Sequence, residues 1–185
     1  MKQKLFIFAA ILVVLALPHT ALAYDFSAVA PSGQTLYYNI VGNAVELVPG
    51  DVQPVGDLII PDSVTYMGVS FPVQSIGSVA FSGCNGLTSV VIGGEVTSIG
   101  YDAFYQCNGL VSVILSNSVT SIGFESFECC TALTEIAIPN SVTHIDIAAF
   151  QGCTGLTTIG IPNSVTSIAY NAFKNCRNVD VMDKF

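Results

Sequence analysis

The stretch IGYDAFYQCNGLVSVILSNSVTS, residues 99–121, sets the pattern for most of the chain. Three of its positions recur at intervals of 23 residues, each time with the same residue type. The three ladders are Ile76, Ile99, Ile122, Ile145 and Ile168; Phe81, Phe104, Phe127, Phe150 and Phe173; and Cys84, Cys107, Cys130, Cys153 and Cys176. A fixed recurrence of this length indicates one structural unit that is repeated along the chain.

Four of the five units also contain a leucine followed three residues later by a second apolar residue, as at Leu110 and Val113, and the last unit has Val179 in place of the leucine. A period in the twenties with this apolar core is typical of a leucine-rich-repeat solenoid. One unit cannot bury its apolar side alone, so successive coils stack on each other. The sequence therefore predicts a repeat solenoid built from short parallel strands.

Each repeat divides into three segments. Residues 156–161 (LTTIGI) predict a short strand with Leu156, Ile159 and Ile161 facing inward, and a second extended segment follows it. Residues 171–176 (NAFKNC) predict one helical turn, because the spacing of Ala172, Phe173 and Cys176 places them on one side of a helix.

The region before the repeats, residues 24–56, has no counterpart elsewhere in the chain. Two β-prone runs, 36–41 and 44–48, flank Gly42 and Asn43. This pattern predicts a β-hairpin with a type II′ turn. Because a solenoid needs a cap over its exposed apolar end, the hairpin is predicted to be the N-terminal cap.

Residues 57–185 form the predicted repeat domain, with about five repeats. The first repeat carries an insertion, residues 65–72 (TYMGVSFP), in which apolar residues alternate around Gly68. It predicts a small β-arm that packs on the cap. The last turn, residues 179–185, carries charges that discourage edge-to-edge pairing. This turn is either a capping repeat or the end of a truncated array.

Residues 1–23 have the composition of a secretory signal peptide. Two lysines precede the apolar run 5–17, and the sequence ALA at 21–23 is a small-residue cleavage site. The apolar run is too short for a membrane span. The mature chain is predicted to be an exported monomer without membrane insertion.

The charge balance of the mature chain excludes one class of partner. Three basic residues, Lys174, Arg177 and Lys184, remain against 13 carboxylates, a formal charge of −10. A nucleic acid or an anionic lipid surface would be repelled rather than bound.

All six cysteines lie in the repeats, and five of them form one ladder. A buried cysteine behaves as a small apolar residue. Side chains stacked in register also have Cβ vectors that are poorly oriented for a disulfide. The ladder cysteines are therefore predicted to be buried and reduced, with Cys129 nearer to solvent.

Catalytic and metal-binding groups are sparse in the mature chain. Its single histidine, His144, stands where neighbouring repeats have serine, and Glu125 and Glu128 flank Phe127 on a predicted solvated turn. Nucleophilic catalysis needs an activating base, and zinc binding needs clustered ligands. The sequence predicts no enzymatic activity, no cofactor and no metal.

The outward positions of the predicted strands form a nearly uncharged face, on which Val91, Ile114 and Ala137 fall in one column. Contiguous exposed apolar surface often marks an interaction site. The residues predicted to contact a partner protein are Thr88, Ser89, Val91, Val111, Ser112, Ile114, Thr134, Glu135, Ala137, Thr157 and Thr158. The alternative is that the second extended segments cover this face.

A second candidate surface is an aromatic column at the predicted turn, formed by Tyr101, Phe124 and Tyr170. Exposed aromatic side chains in a groove would suit a glycan-binding accessory protein. A third possibility is a structural spacer within a larger surface protein.

Two repeated motifs carry a family resemblance. The sequences IPNSVTSIA (161–169) and LSNSVTSIG (115–123), together with the pattern A-F-x-x-C-x-x-L, closely resemble the BspA-like leucine-rich repeat. The segments FSAVAPSGQTLYYNIVGN (26–43) and IPDSVTYMGVSFPVQSIG (60–77) are similar to the N-terminal region of that family. The resemblance implies an exported or surface-displayed protein. It also implies adhesion to host extracellular-matrix proteins or to other cells at the bacterial surface.

Signal-peptide cleavage is expected after Ala23, because the small residues at 21 and 23 fit the requirement of signal peptidase. N-terminal sequencing of the secreted protein should therefore begin at Tyr24. Recovery of the chain with an intact Met1 in the membrane fraction would contradict this prediction.

Overall fold

A computed structural model describes residues 24–177. The predicted signal peptide and the final turn lie outside the described residues. The strands are β1 (Phe26–Val29), β2 (Thr35–Val41), β3 (Ala44–Val48), β4 (Gly56–Ile59), β5 (Ser63–Tyr66), β6 (Val69–Ile76), β7 (Leu87–Val91), β8 (Ser98–Ile99), β9 (Ser112–Ile114), β10 (Ser121–Ile122), β11 (Glu135–Ala137), β12 (His144–Ile145) and β13 (Ser167–Ile168).

Two sheets run along the solenoid. One sheet has the order β1-β2-β3-β6-β8-β10-β12-β13, with β5 paired to β6, and the other has the order β4-β7-β9-β11. Successive coils pair in parallel, so that Ser98 faces Ser121 and Ser121 faces His144. The predicted leucine-rich-repeat fold with parallel strands is thus confirmed.

A stack of phenylalanine rings runs through the core. The ring centroids of Phe104 and Phe127 are 5.1 Å apart with an interplanar angle of 4°, and those of Phe127 and Phe150 are 5.3 Å apart with an angle of 2°. All three side chains are fully buried. Stacked rings at this spacing match the separation of neighbouring strands, so each coil supplies one ring to a continuous core.

The turn of each repeat differs from the prediction, because the described residues contain no helix. Each coil instead places two residues in the left-handed region, for example Asp102 (φ 53°) and Gln106 (φ 55°). Such residues interrupt a right-handed helical turn. The backbone N–H groups of alternate turn residues bond to the next coil, as Phe104 N does to Ser126 O at 2.8 Å. In the last described coil, the predicted helical turn does not form, and Asn171 and Asn175 both have φ 61°.

Most of the ladder cysteines are buried, and most of their thiols are hydrogen-bonded to the backbone of the preceding coil. The Sγ of Cys130 donates to the carbonyl oxygen of Phe104 at 3.1 Å, and Cys153 donates to that of Phe127 at the same distance. All six cysteines are free, which confirms the prediction of reduced thiols, and Cys129 is only half-buried. Burial raises the pKa of Cys130 to about 12, so its thiol keeps its proton.

The predicted N-terminal hairpin is confirmed by the antiparallel pairing of β2 with β3. Gly42, at the first turn position, has φ 65°, as a type II′ turn requires. Strand β1 adds a third strand through its pairing with β2. Strand β3 pairs in parallel with β6, so the hairpin continues directly into the sheet of the solenoid.

The insertion in the first repeat forms the predicted arm. Strands β5 and β6 pair as a hairpin, and both turn residues, Met67 (φ 48°) and Gly68 (φ 78°), are left-handed. The ring of Tyr66 stacks on Phe26 of β1 with a centroid distance of 4.3 Å and an interplanar angle of 10°. The arm therefore packs on the N-terminal strands, as the sequence predicts.

Residues 156–161 do not form the predicted strand. Gly160 stands where the preceding coils have Ala137 and Ile114, and a Cβ at Gly160 would meet no atom within 4 Å. Glycine weakens a strand because it loses more conformational freedom and packs no side chain. Leu156 and Ile159 nevertheless stay buried, so the segment keeps its apolar contacts without a strand ladder.

Replacing Phe127 by alanine is expected to lower the free energy of unfolding by about 3–5 kcal/mol, because the substitution empties a large core site. Chemical denaturation measures this loss. Tyr170→Ala is the control, because that side chain is 76% exposed; its loss should stay within about 0.5 kcal/mol. Equal losses for the two variants would contradict a buried stack.

Ser126→Ala is expected to raise the stability by about 1 kcal/mol. Ser126 is fully buried and its hydroxyl has no hydrogen-bond partner, whereas the equivalent position is alanine in the neighbouring coils, as at Ala103 and Ala149. The reciprocal change, Ala149→Ser, should lower the stability. A melting temperature that falls in Ser126→Ala would show that the hydroxyl has a stabilising partner.

Candidate functional site

The candidate site is the outer face of the sheet formed by β4, β7, β9 and β11. Alternate residues of a strand point to opposite sides of its sheet, so Leu58, Val90 and Val113 fill the core while their neighbours point outward. The strand register aligns the outward residues in two columns. The apolar column is Ile59, Val91, Ile114 and Ala137, and the polar column is Asp57, Ser89, Ser112 and Glu135.

The apolar column lies open to solvent. Ile114 is 61% exposed, Ile59 41% and Val91 36%. The second extended segments, β8, β10, β12 and β13, belong to the other sheet and do not cover this face. The alternative of a covering layer is therefore wrong for the part of the chain that the structure describes.

One end of the polar column is a carboxylate that accepts two hydrogen bonds. The Oδ1 atom of Asp57 accepts hydrogen bonds from Ser89 Oγ at 2.6 Å and from Thr88 Oγ1 at 2.9 Å. These two hydrogen bonds lower the pKa of Asp57, and the bond from Ser89 has the larger effect. Asp57 is thus a fixed negative charge at the N-terminal end of the face.

The other end of the face contains a groove with a volume of about 290 Å³. Its lining residues are Ser112, Val113, Ile114, Leu115, Glu135 and Ala137. Ile114 and Ala137 supply exposed apolar surface, and the Glu135 carboxylate is exposed beside them. This combination can accept an apolar group that carries a positive charge nearby.

The structure brings together most of the residues predicted from sequence for this face. Ser89 and Ser112 are half-buried, and the others are exposed, namely Thr88, Val91, Val111, Ile114, Thr134, Glu135, Ala137, Thr157 and Thr158. Thr157 and Thr158 lie beyond the last strand of the sheet, because residues 156–161 form none.

Two residues of the face, Asp57 and Ile59, are missing from the sequence prediction. The signal for them is the match of the segment DLIIP (57–61) to EIAIP (135–139), which aligns Asp57 with Glu135 and Ile59 with Ala137. The inserted arm lengthens the sequence between β4 and β7. A search for repeats at a fixed interval therefore misses this equivalence.

The second candidate surface is only partly continuous. The rings of Tyr101 and Phe124 lie 5.4 Å apart at an angle of 33°. Glu125 N bonds to Ile147 O, and Ala148 N bonds to Tyr170 O, so Ile147 occupies the coil between Phe124 and Tyr170. The predicted three-residue aromatic column is therefore an aromatic pair plus a separate, exposed Tyr170.

The groups of catalytic potential named from the sequence are His144, Glu125 and Glu128. His144 is half-buried in β12, where it pairs with Ser121 and Ser167. Within residues 24–177, no three metal-ligating side chains converge to hold a metal ion. Glu125 and Glu128 are half-buried rather than solvated as predicted. No helix of the described range is long and apolar enough to cross a bilayer.

The repeat region matches the family model described as BspA type leucine rich repeat region, in six copies over residues 57–180. No curated protein matches the chain.

Solved structures of bacterial leucine-rich-repeat proteins are similar to the chain. The protein from Bacteroides ovatus is 34% identical with a TM-score of 0.75, and the match covers 84% of this chain and 40% of that one. The protein from Bacteroides capillosus is 30% identical with a TM-score of 0.54, covering 73% and 93%. A leucine-rich cell surface protein from Faecalibacterium prausnitzii is 26% identical with a TM-score of 0.53, covering 86% and 54%. The chain thus spans less than half of the B. ovatus protein.

Proposed function

The chain belongs to the BspA-type leucine-rich-repeat family, and we propose that it is an exported, non-enzymatic protein-binding module. Its role is adhesion to host matrix proteins or to other cells at the bacterial surface. The partner lies on the outer face of the sheet formed by β4, β7, β9 and β11. Leucine-rich-repeat solenoids commonly serve as extended surfaces for macromolecular contact.

The observation that carries this proposal is the exposed apolar column on a rigid sheet. Ile59, Val91 and Ile114 together form exposed apolar surface that no other element of the described chain covers. Contiguous surface of this kind marks interaction sites in soluble proteins. The side chains are held by the strands beneath them, so binding requires little ordering of the chain.

The chemistry of the face also constrains the partner. Asp57 and Glu135 place negative charge at its two ends, and the mature chain has a formal charge of −10. A partner with apolar side chains and a basic surface complements this face in apolar character and in charge. The hydroxyl groups between the carboxylates add little affinity each, because they exchange hydrogen bonds with water for hydrogen bonds with the partner.

Secretion and surface display are part of the proposal. The composition of residues 1–23 supports export, and the similar protein from F. prausnitzii is a cell surface protein. With modest affinity per coil, adhesion would gain strength from the simultaneous engagement of several coils or several copies.

The double variant Ile114→Arg/Ala137→Arg is expected to reduce partner capture at least about tenfold, since two arginines would cover the apolar groove and repel a basic partner. Both side chains are exposed, so the melting temperature should change by no more than a few degrees. Capture from a panel of host matrix proteins and mucin glycans, immobilised separately, measures the effect.

The matched control is Thr143→Arg/Thr166→Arg, which adds the same charge to two exposed residues that directly precede β12 and β13 of the other sheet. The control should capture the partner as well as the parent does. If both double variants lose capture equally, the effect is one of overall charge. If capture is unchanged in Ile114→Arg/Ala137→Arg, the partner binds elsewhere. Capture of mucin glycans through the Tyr101–Phe124 pair would then favour the glycan-binding alternative.

A further inference from the structure

The sheet of β4, β7, β9 and β11 ends at β4, and side chains cover the outer edge of this strand. In the following coils each strand pairs with a preceding one, as Ser89 does with Asp57 and Ser112 does with Ser89. Within residues 24–177, β4 pairs only with β7. The free N–H and C=O groups of an edge strand can template the addition of a further strand, so they need a partner or a cover.

Two residues of the loop that joins β1 to β2 supply such partners. The Nε2 atom of Gln34 donates to the carbonyl oxygens of Val55 at 2.9 Å and Asp57 at 2.8 Å. The Oγ atom of Ser32 accepts from the backbone N–H of Ile59 at 3.0 Å. Residues 55, 57 and 59 alternate along the chain, so their backbone groups point to the same side of the strand. All three bonds therefore lie along the free edge of β4.

The chemistry of the two side chains matches this edge. A glutamine amide has two N–H donors, so one residue can serve two carbonyl oxygens, and a serine hydroxyl can accept from an N–H group. The loop itself is closed by two backbone bonds: Ala30 N donates to Gln34 O and Gly33 N donates to Ala30 O, each at 2.8 Å. Gly33 has φ 92°, a conformation that favours glycine. The loop thus holds both side chains against β4.

These contacts do not arise from core packing, because Ser32 and Gln34 are both only half-buried. The Oε1 atom of Gln34 is buried without a hydrogen-bond partner. A buried oxygen that lacks a donor is destabilising, and the two bonds from Nε2 offset that cost. Gln34 thus contributes through its bonds to the strand edge rather than through burial.

We propose that Ser32 and Gln34 form an edge plug that stops a second copy of this chain from adding a strand to β4. The segment that would add is 156–161 of that copy. It continues the repeat pattern beyond β11, keeps Leu156 and Ile159 buried, and belongs to no strand of the described chain. Parallel addition of this segment to β4 would extend the sheet by the same pairing that joins β9 to β11. The contact is head-to-tail, so it would propagate into an open filament, and the plug keeps the chain monomeric.

Hydrogen exchange followed by NMR tests the plug at a single residue. In Ser32→Ala the Ile59 amide loses its acceptor, so it should exchange at least about tenfold faster than in the parent. The Ile60 amide is the internal control, because it donates to Val91 O of β7 at 2.9 Å and should keep its protection. Equal acceleration of both amides would overturn the proposal, because it would show a general loosening of β4. Unchanged exchange of the Ile59 amide would overturn it as well.

Sedimentation velocity tests the exclusion of a second copy, at a salt concentration of about 0.3 M, which screens the repulsion between the acidic chains. The mature chain should sediment as a monomer at every protein concentration, whereas Ser32→Ala/Gln34→Ala should associate progressively as the concentration rises. The matched control, Gln74→Ala/Ser78→Ala, truncates the same residue types at two exposed positions and should remain monomeric. A thermal melt verifies that each variant is folded.

A folded Ser32→Ala/Gln34→Ala variant that remains monomeric would overturn the proposal, and so would equal association of the parent and both double variants. If the Ser32→Ala/Gln34→Ala variant does not fold, hydrogen exchange in Ser32→Ala decides alone. None of these measurements requires the partner proposed for the outer face of this sheet, so the edge plug and the proposed function fail separately.

Discussion

The stacking of one coil directly upon the next is the constraint on which the rest of this structure depends. Backbone hydrogen bonds join consecutive coils at the strands and again at the turns, as Phe127 N does to Ala149 O at 2.8 Å. The phenylalanine rings follow the same spacing and fill the space between the two sheets. Each coil therefore meets an almost identical neighbour, and a residue that fits one coil fits the next.

This constraint explains the cysteine ladder and the unusual turns together. The turn aims the N–H groups of alternate residues along the solenoid axis, and the first and last of these residues, such as Asp102 and Gln106, are left-handed. The carbonyl oxygen of Phe104 accepts from Cys107 N within the turn and also from the thiol of Cys130 in the next coil. A cysteine is small enough for the column and still supplies a donor, so the same residue recurs without any disulfide.

Because the inward positions are determined by stacking, the outward positions are free to differ between coils. The candidate strand face is composed of residues from several coils and runs from Asp57 to Ala137. This surface does not exist in a single repeat. The proposed binding face thus requires an intact stack, even though its outward residues do not contribute to the core.

The sequence by itself determines which residues are inside. The recurrence of Phe104, Cys107 and Leu110 predicts the solenoid, the buried core and the reduced thiols, because equivalent positions in a stack share one environment. The alternation of the strands likewise predicts that Ile114 points outward. For these properties a local pattern is sufficient, and the described residues bear the predictions out.

The tertiary structure alone decides how the turns are bonded and which side chains meet across coils. The spacing of Ala172, Phe173 and Cys176 is compatible with a helical turn and with the observed turn, which contains residues of positive φ. Only the hydrogen bonds to the adjacent coil favour the observed turn over the helix. The same holds for the carbonyl oxygen of Phe104, which accepts from the Cys130 thiol of the next coil. Such contacts join residues more than 20 positions apart, so no local pattern in the sequence records them.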